Sequence, residues 1–150
     1  MIVLDRVFRE RDLPDAARAY ARETMTLGWE ERLQMHGRRR SDGGIEFGLA
    51  LPRGSVLRGG DLLVLDDVRM VVTVAERLEP VFVIEPRSAQ EWALYAYQIG
   101  NRHQPMMITD NALVCPDVPG VAQLLHQHGI PHSRAMRPFT PATVAAGHSH

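Results

Sequence analysis

The stretch that decides the fold of the second half of the chain is residues 88–105, SAQEWALYAYQIGNRHQP. It opens on a capping box, in which the Ser88 hydroxyl accepts the Glu91 amide and the Glu91 side chain returns to the Ser88 amide. Apolar residues then recur at i, i+3, i+4 and i+7, which predicts a helix with one buried stripe: Trp92, Tyr95, Ala96 and Ile99. The pair Gly100-Asn101 suits the left-handed turn that closes a helix. His103 is therefore expected just beyond the helix end.

The segments around this helix predict a strand, helix, strand, strand, helix, strand order. A continuous apolar run, PVFVIEP at 80–86, has the length of a strand covered on both faces. After the helix, MMIT and ALVC predict two short strands joined by a tight turn at Asp110-Asn111. A second helix is expected to begin at Pro119 and end at Gly129. A last strand is expected within HSRAMRPF, and this order is that of ferredoxin-like domains.

The first half of the chain predicts a small all-β domain. Its apolar segments are β-branched or alternating, and Gly-rich turn signals such as SDGG, PRGS and RGGD separate them. These expected strands lie within residues 2–8, 33–40, 45–52, 56–65 and 69–76. The alanines of PDAARAYARETM, residues 14–25, instead favour a short helix or a loop.

The chain is therefore predicted to belong to the α+β class. We expect an N-terminal β-domain over residues 1–76 and a ferredoxin-like βαββαβ domain over residues 77–139. The last segment, residues 140–150, is small and polar and carries too little apolar bulk to pack. It is predicted to be a flexible tail that contains His148 and His150.

Composition and charge exclude several classes of partner and compartment. A net charge of −1 and a pI near 6.6 lack the basic excess that nucleic-acid binding requires. The one basic cluster, Arg38–Arg40, is predicted to be a solvated strand edge, where charge deters edge pairing. A single cysteine excludes an internal disulfide framework, which fits a reducing compartment such as the cytoplasm. Charges near the start interrupt any signal core, and no segment has the ~20 apolar residues of a membrane span.

The residues that bear chemistry are histidines rather than an enzyme constellation. No nucleophile elbow, phosphate loop or HExxH helix occurs, and Cys115 is predicted to be a small core residue. His36 is predicted to be structural. His126 and His128 lie two apart on the second helix, so they cannot face one ion together. His148 and His150 have the same spacing on a predicted flexible tail, where two imidazoles can converge on one metal.

The motif GNRHQP at 100–105 carries a family resemblance. Together with LPRG…LRGGD in the first half and the closing GHSH, it is similar to the UreE family, the nickel metallochaperones among the urease accessory proteins. The resemblance covers essentially the whole chain. It implies an N-terminal domain resembling a peptide-binding chaperone module and a ferredoxin-like C-terminal domain that binds metal and dimerises.

The same resemblance implies the site and its use. The family's metal histidine falls on His103, so that two copies of the chain hold one Ni²⁺ across a two-fold axis, with His148 and His150 as mobile ligands. The hairpin residues Thr109 to Asn111 stand where some members carry further histidines, which implies no large nickel reservoir. The implied partners are the GTPase UreG and the urease apoprotein complex.

Three other functions stand beside nickel delivery. A general divalent-metal protein would bind Zn²⁺ or Cu²⁺ at the same imidazoles, since both bind such sites at least comparably. An RNA-binding ferredoxin-like protein would need exposed aromatics on its sheet and a basic surface. A metal-dependent hydrolase would need a carboxylate base beside the metal and about three protein ligands. The sequence shows neither the features of an RNA-binding protein nor those of a hydrolase, and no enzyme activity is expected.

Overall fold

The computed structural model describes residues 1–142 of the chain. Two compact units divide between Arg77 and Leu78. The predicted tail ligands His148 and His150 lie outside the described residues. Within those residues, no helix is long and apolar enough to cross a membrane.

The N-terminal unit consists of two three-stranded sheets. One has the order β1-β4-β3 and the other the order β2-β6-β5. The strands are β1 (Val3–Leu4), β2 (Ala21–Leu27), β3 (His36–Arg40), β4 (Glu46–Ala50), β5 (Leu62–Leu65) and β6 (Met70–Glu76). Three short helical segments join them, namely the 3-10 turns Glu10–Asp12 and Asp15–Ala19 and the four-residue helix α1 (Trp29–Arg32).

The core of this unit explains where the strands lie. Apolar side chains from both sheets pack into one buried cluster that includes Met25, Phe47, Leu63 and Val74. The helix or loop predicted over residues 14–25 is therefore only partly right. Asp15–Ala19 forms a 3-10 turn, but Ala21–Leu27 is strand β2 and pairs in parallel with β6. Burial of Met25 and sheet pairing outweigh the helix propensity of the alanines.

The C-terminal unit shows the predicted order of elements. These are β7 (Glu79–Ile84), α2 (Ala89–Asn101), β8 (Met107–Ile108), β9 (Leu113–Pro116), α3 (Val121–Gln127) and β10 (Ser133–Arg137). The four strands form one antiparallel sheet in the order β10-β7-β9-β8. The core of the unit joins Phe82 and Leu113 of the sheet to Ile99 of α2 and Leu125 of α3.

The start of α2 follows the predicted capping pattern with one difference. Ser88 Oγ accepts a hydrogen bond from the Glu91 amide at 3.1 Å, as the sequence predicts for an N-cap. The Glu91 carboxylate, however, accepts from the Arg87 amide at 2.9 Å rather than from Ser88. The carboxylate still satisfies a free amide at the N-terminus of the helix, one residue earlier than the capping box requires.

The beginning of the predicted flexible tail is packed, which corrects that prediction for residues 140–142. Phe139 is fully buried, Thr140 and Pro141 are also buried, and the Ala142 amide donates to the Met106 carbonyl oxygen at 2.6 Å. The segment after β10 thus reaches Met106, next to β8 at the opposite edge of the sheet. Phe139 supplies an apolar anchor that the composition of residues 140–150 does not reveal.

Candidate metal site

The predicted metal ligand His103 lies at the C-terminus of α2. Asn101 is the last helical residue and Arg102 is the C-cap. The His103 amide donates to the Gly100 carbonyl oxygen at 2.9 Å, and the Gln104 amide donates to that of Ile99 at 3.3 Å. These two bonds form a Schellman motif, which satisfies carbonyl groups at the helix end and fixes the path of the chain around His103.

His103 itself is the left-handed residue of this motif. Its φ is +57°, whereas the sequence predicted that Gly100-Asn101 would supply the left-handed turn. That prediction is wrong, since both residues belong to the helix. A residue with a Cβ at this φ costs about 1–2 kcal/mol relative to an ordinary helical conformation, and Gly is the usual occupant. Such strained positions concentrate at functional sites, so the backbone conformation is a second indication, independent of the sequence motif, that this histidine has a functional role.

The His103 side chain is exposed and is available to a ligand. Its imidazole has no hydrogen-bond or ion-pair partner among residues 1–142. In the same part of the chain, no group of three or more His, Cys, Asp or Glu residues is arranged to hold a metal. One copy of the described chain therefore offers His103 as an isolated imidazole, and a site there needs ligands from elsewhere.

The helix end around His103 is held by α3. The Arg102 guanidinium donates to Gln127 Oε1 at 2.6 Å. This bond joins the C-terminal ends of the two helices and restrains the residue that precedes His103. The carbonyl groups at a helix C-terminus also carry partial negative charge, which favours a cation nearby.

Two exposed apolar residues lie on α2, and the sequence did not predict their exposure. Leu94 is 46% exposed and Tyr97 is 67% exposed, and both lie outside the buried stripe. Together with Gln98 and Asn101 they line a groove that extends to His128 at the end of α3. Gln98 Oε1 is buried without a hydrogen-bond partner in the described residues. The sequence feature that could have predicted this exposed strip is the i, i+3 spacing of Leu94 and Tyr97, which places both outside the buried stripe of α2.

Four further histidines lie within residues 1–142, of which His128 lines the groove described above. The His36 ring is 3.0 Å from the Leu51 carbonyl oxygen, consistent with its predicted structural role. His126 is exposed on α3. His132 places Nδ1 2.8 Å from the Ile130 carbonyl oxygen and packs edge-on against Phe82.

Cys115 offers no thiolate to a metal. Its side chain is fully buried in the sheet, and burial raises the pKa of the thiol to about 12. A metal requires the deprotonated thiolate, which burial in apolar surroundings disfavours. The sequence prediction of a small core residue is confirmed.

Comparison with known proteins matches both units to one family. The model of the UreE urease accessory protein N-terminal domain matches residues 4–76, and that of the C-terminal domain matches residues 79–150.

Individual relatives of the chain are named urease accessory protein UreE. The chain is 37% identical to the protein of Burkholderia thailandensis over 127 residues, which are 85% of this chain and 59% of that protein. It is 36% identical to the protein of Burkholderia mallei over 126 residues, 84% of this chain and 62% of that protein. It is 35% identical to the protein of Paraburkholderia xenovorans over 127 residues, 85% of this chain and 56% of that protein. The chain thus spans less than two thirds of the length of each relative.

Proposed function

The chain belongs to the UreE family of urease accessory proteins, and on that premise we propose that it is a nickel metallochaperone whose metal site is built on His103. The observation that carries the proposal is the state of His103. Its imidazole is exposed, has no partner in residues 1–142 and stands on a strained left-handed backbone at a helix end. A strained backbone at an exposed histidine brings no evident benefit for packing. It does fix the direction in which the imidazole projects from the helix end, which suits a metal ligand.

A site with one imidazole per chain leads to a homodimer. In an isologous contact the same patch of two copies meets across a two-fold axis, so a residue beside the axis is supplied twice. The strip of Leu94 and Tyr97 supports this arrangement, because it exposes apolar area in a groove that also includes Asn101 and Arg102, the two residues before His103. Two His103 imidazoles would then hold one Ni²⁺, and imidazole is a suitable ligand for this ion.

The remaining ligands are proposed to be His148 and His150. Their segment follows Ala142, which is hydrogen-bonded to Met106, three residues after His103. His148 is six Cα–Cα steps beyond Ala142, and a fully extended chain of that length spans at most ~22 Å. The distance from Met106 back to His103 is at most ~11 Å by the same rule. Both tail histidines are therefore within covalent reach of the His103 pair.

The two His103 imidazoles alone leave the coordination shell of Ni²⁺ incomplete, which suits a carrier that must also release its metal. We propose that the protein works in the cytoplasm and passes Ni²⁺ through the GTPase UreG to the urease apoprotein complex. Zn²⁺ and Cu²⁺ would bind the same imidazoles. The proposed metal and dimer domain is the C-terminal unit, whose sheet order β10-β7-β9-β8 supports the ferredoxin-like classification. The proposal contains no catalytic step.

Nickel titration calorimetry with a parallel measurement of mass tests this function. We expect a dimer that binds one Ni²⁺ tightly per two chains. A matched experiment on His126→Ala, which removes an exposed imidazole from α3, should leave the tight site unchanged. A strictly monomeric mass at tens of micromolar protein, with and without nickel, or the absence of a tight site, would contradict the proposal.

A further inference from the structure

The free edge of strand β3 in the N-terminal unit is covered by one of its own side chains. Within residues 1–142, strand β3 lies at the edge of its sheet and pairs with β4 alone. The bonds from the Leu51 amide to the Met35 carbonyl and from the Ser41 amide to the Ile45 carbonyl show which residues face β4. Bonding toward β4 alternates along an antiparallel pair. The backbone groups of His36, Arg38 and Arg40 therefore face away from β4.

The Arg39 guanidinium occupies two carbonyl groups on this outer side. It donates to the Arg38 oxygen and to the Gln34 oxygen, each at 2.7 Å. A hydrogen bond with an ionised donor is shorter and stronger than a neutral one. The Arg39 guanidinium therefore binds one acceptor just before the edge strand, the Gln34 carbonyl, and one within it, the Arg38 carbonyl.

The neighbouring Gly37 makes room for this arrangement. Its φ is +125°, a conformation that residues with a Cβ rarely adopt. A Cβ at this position would also lie 3.2 Å from Arg39 Nη1. The backbone of the strand is thus shaped to admit the guanidinium, which indicates a built feature rather than a surface side chain in a chance orientation.

We propose that Arg39 is a latch that closes the β3 edge against strand addition by a second copy of this chain. An exposed edge presents alternating donors and acceptors, and two identical edges are complementary when they run antiparallel. Capture of the Gln34 and Arg38 carbonyls removes acceptors that an incoming strand needs. The hydrogen bonds of this one guanidinium protect the edge from strand addition. This protection is separate from the charge repulsion that the whole basic cluster provides.

Two neighbouring arginines separate the latch from simple charge repulsion. Arg38 and Arg40 are exposed and carry the same charge on the same strand. Removing either one lowers the charge of the edge by the same amount as removing Arg39. Of the three arginines in this part of the structure, Arg39 alone donates to the Arg38 and Gln34 carbonyls. The latch therefore predicts an effect that depends on position, whereas charge repulsion predicts equal effects for all three.

Sedimentation velocity over a concentration series on the full chain tests the latch. Arg39→Ala should form particles of about twice the parent mass or larger as concentration rises, since open edges pair. Arg39→Lys keeps the charge but lacks the fork, so it should also associate, more weakly than the alanine variant. Arg38→Ala should keep the parent mass.

Hydrogen exchange gives a second readout. In associated Arg39→Ala, the outward amides of His36, Arg38 and Arg40 should exchange more slowly than in the parent, because they become bonded in the new pair. Thermal unfolding of each variant establishes that it is folded. The latch is overturned if Arg39→Ala and Arg39→Lys, both folded, keep the parent mass at all concentrations, or if Arg38→Ala associates as strongly as Arg39→Ala.

Discussion

The backbone amide of Ala142 donates to the carbonyl oxygen of Met106 at 2.6 Å, three residues after His103. The bond fixes the last described residue of the chain beside the loop that carries the proposed metal ligand. Phe139, fully buried, anchors the same segment on its N-terminal side. If His148 and His150 are ligands as proposed, this starting point near His103 would favour a high effective concentration of their imidazoles at the site.

Deletion of Gly147 to His150 should lower the nickel affinity or stoichiometry without abolishing binding. The two His103 imidazoles would remain as a weaker site. Ordering a peptide segment costs ~1–2 kcal/mol per residue, which limits how much the tail ligands contribute. Calorimetric titration of the deleted chain measures the effect. Replacing His148 and His150 by Gln at full length is the matched control for loss of the segment itself.

Combining the deletion with His103→Ala tests whether the tail and His103 share one ion. If they do, the tail deletion should change affinity far less in the His103→Ala background than in the parent. Such non-additivity is the mark of two groups that act on one ligand. Equal effects of the deletion in both backgrounds would mean that HSH binds metal by itself, and the shared site would be abandoned.

His103→Gly and His103→Ala should both remove the tight nickel site and leave the fold intact. The two variants should differ in stability, because glycine adopts a φ of +57° without the Cβ penalty. We expect the free energy of unfolding of His103→Gly to exceed that of His103→Ala by about 1 kcal/mol. Denaturant unfolding in the absence of metal measures the difference.

A glycine substitution within the same helix provides the control for that comparison. Ala93 lies inside α2 and is exposed, so Ala93→Gly should lower the free energy of unfolding by about 1 kcal/mol. If glycine lowers the free energy of unfolding relative to alanine at position 93 but raises it at position 103, the left-handed backbone at position 103 is the cause. If His103→Gly is no more stable than His103→Ala, the strain argument for this histidine is wrong.

Asp42 should give the N-terminal unit a pH-dependent stability. Hydrogen bonds from the Thr26 amide, the Thr26 hydroxyl and the Thr24 hydroxyl hold the pKa of Asp42 below its ordinary value of 3.8. Because the folded pKa is lowered, the stabilisation is full above the unfolded pKa and is lost as pH falls through the folded one.

Asp42→Asn should therefore destabilise the protein at pH 7, on the order of 1 kcal/mol because the carboxylate is exposed and water competes for its bonds. The difference in stability between Asp42→Asn and the parent should decrease below about pH 4. Thermal unfolding of both proteins across this range measures it. A gap that stays constant down to pH 2 would show that ionisation of Asp42 is not the cause.

The Cys115 thiol should resist alkylation in the native protein. Its pKa of about 12 leaves a very small thiolate fraction at pH 8, and the side chain is fully buried. Iodoacetamide followed by mass spectrometry should show no modification of the folded chain and one modification in denaturant. Rapid alkylation of the native protein at pH 8 would contradict the burial of this side chain.

The local pattern of the sequence determined the elements of the C-terminal unit. The Ser88 cap, the apolar stripe that ends at Ile99 and the short strand runs are set by neighbours within a few residues, so their order could be predicted. The same local reasoning failed for Ala21–Leu27. There, pairing with a strand nearly fifty residues away outweighs helix propensity, and single-sequence patterns do not report such contacts.

The tertiary structure alone decided how the site is presented. The sequence singled out His103 through its motif, but it assigned the left-handed turn to Gly100-Asn101, because glycine and asparagine adopt that turn at least cost. Only the folded chain places the strain on His103 itself, ties Arg102 to Gln127 and brings Ala142 to Met106. These relationships depend on packing between segments distant in sequence, whose free energies exceed the small local preferences that a sequence pattern records.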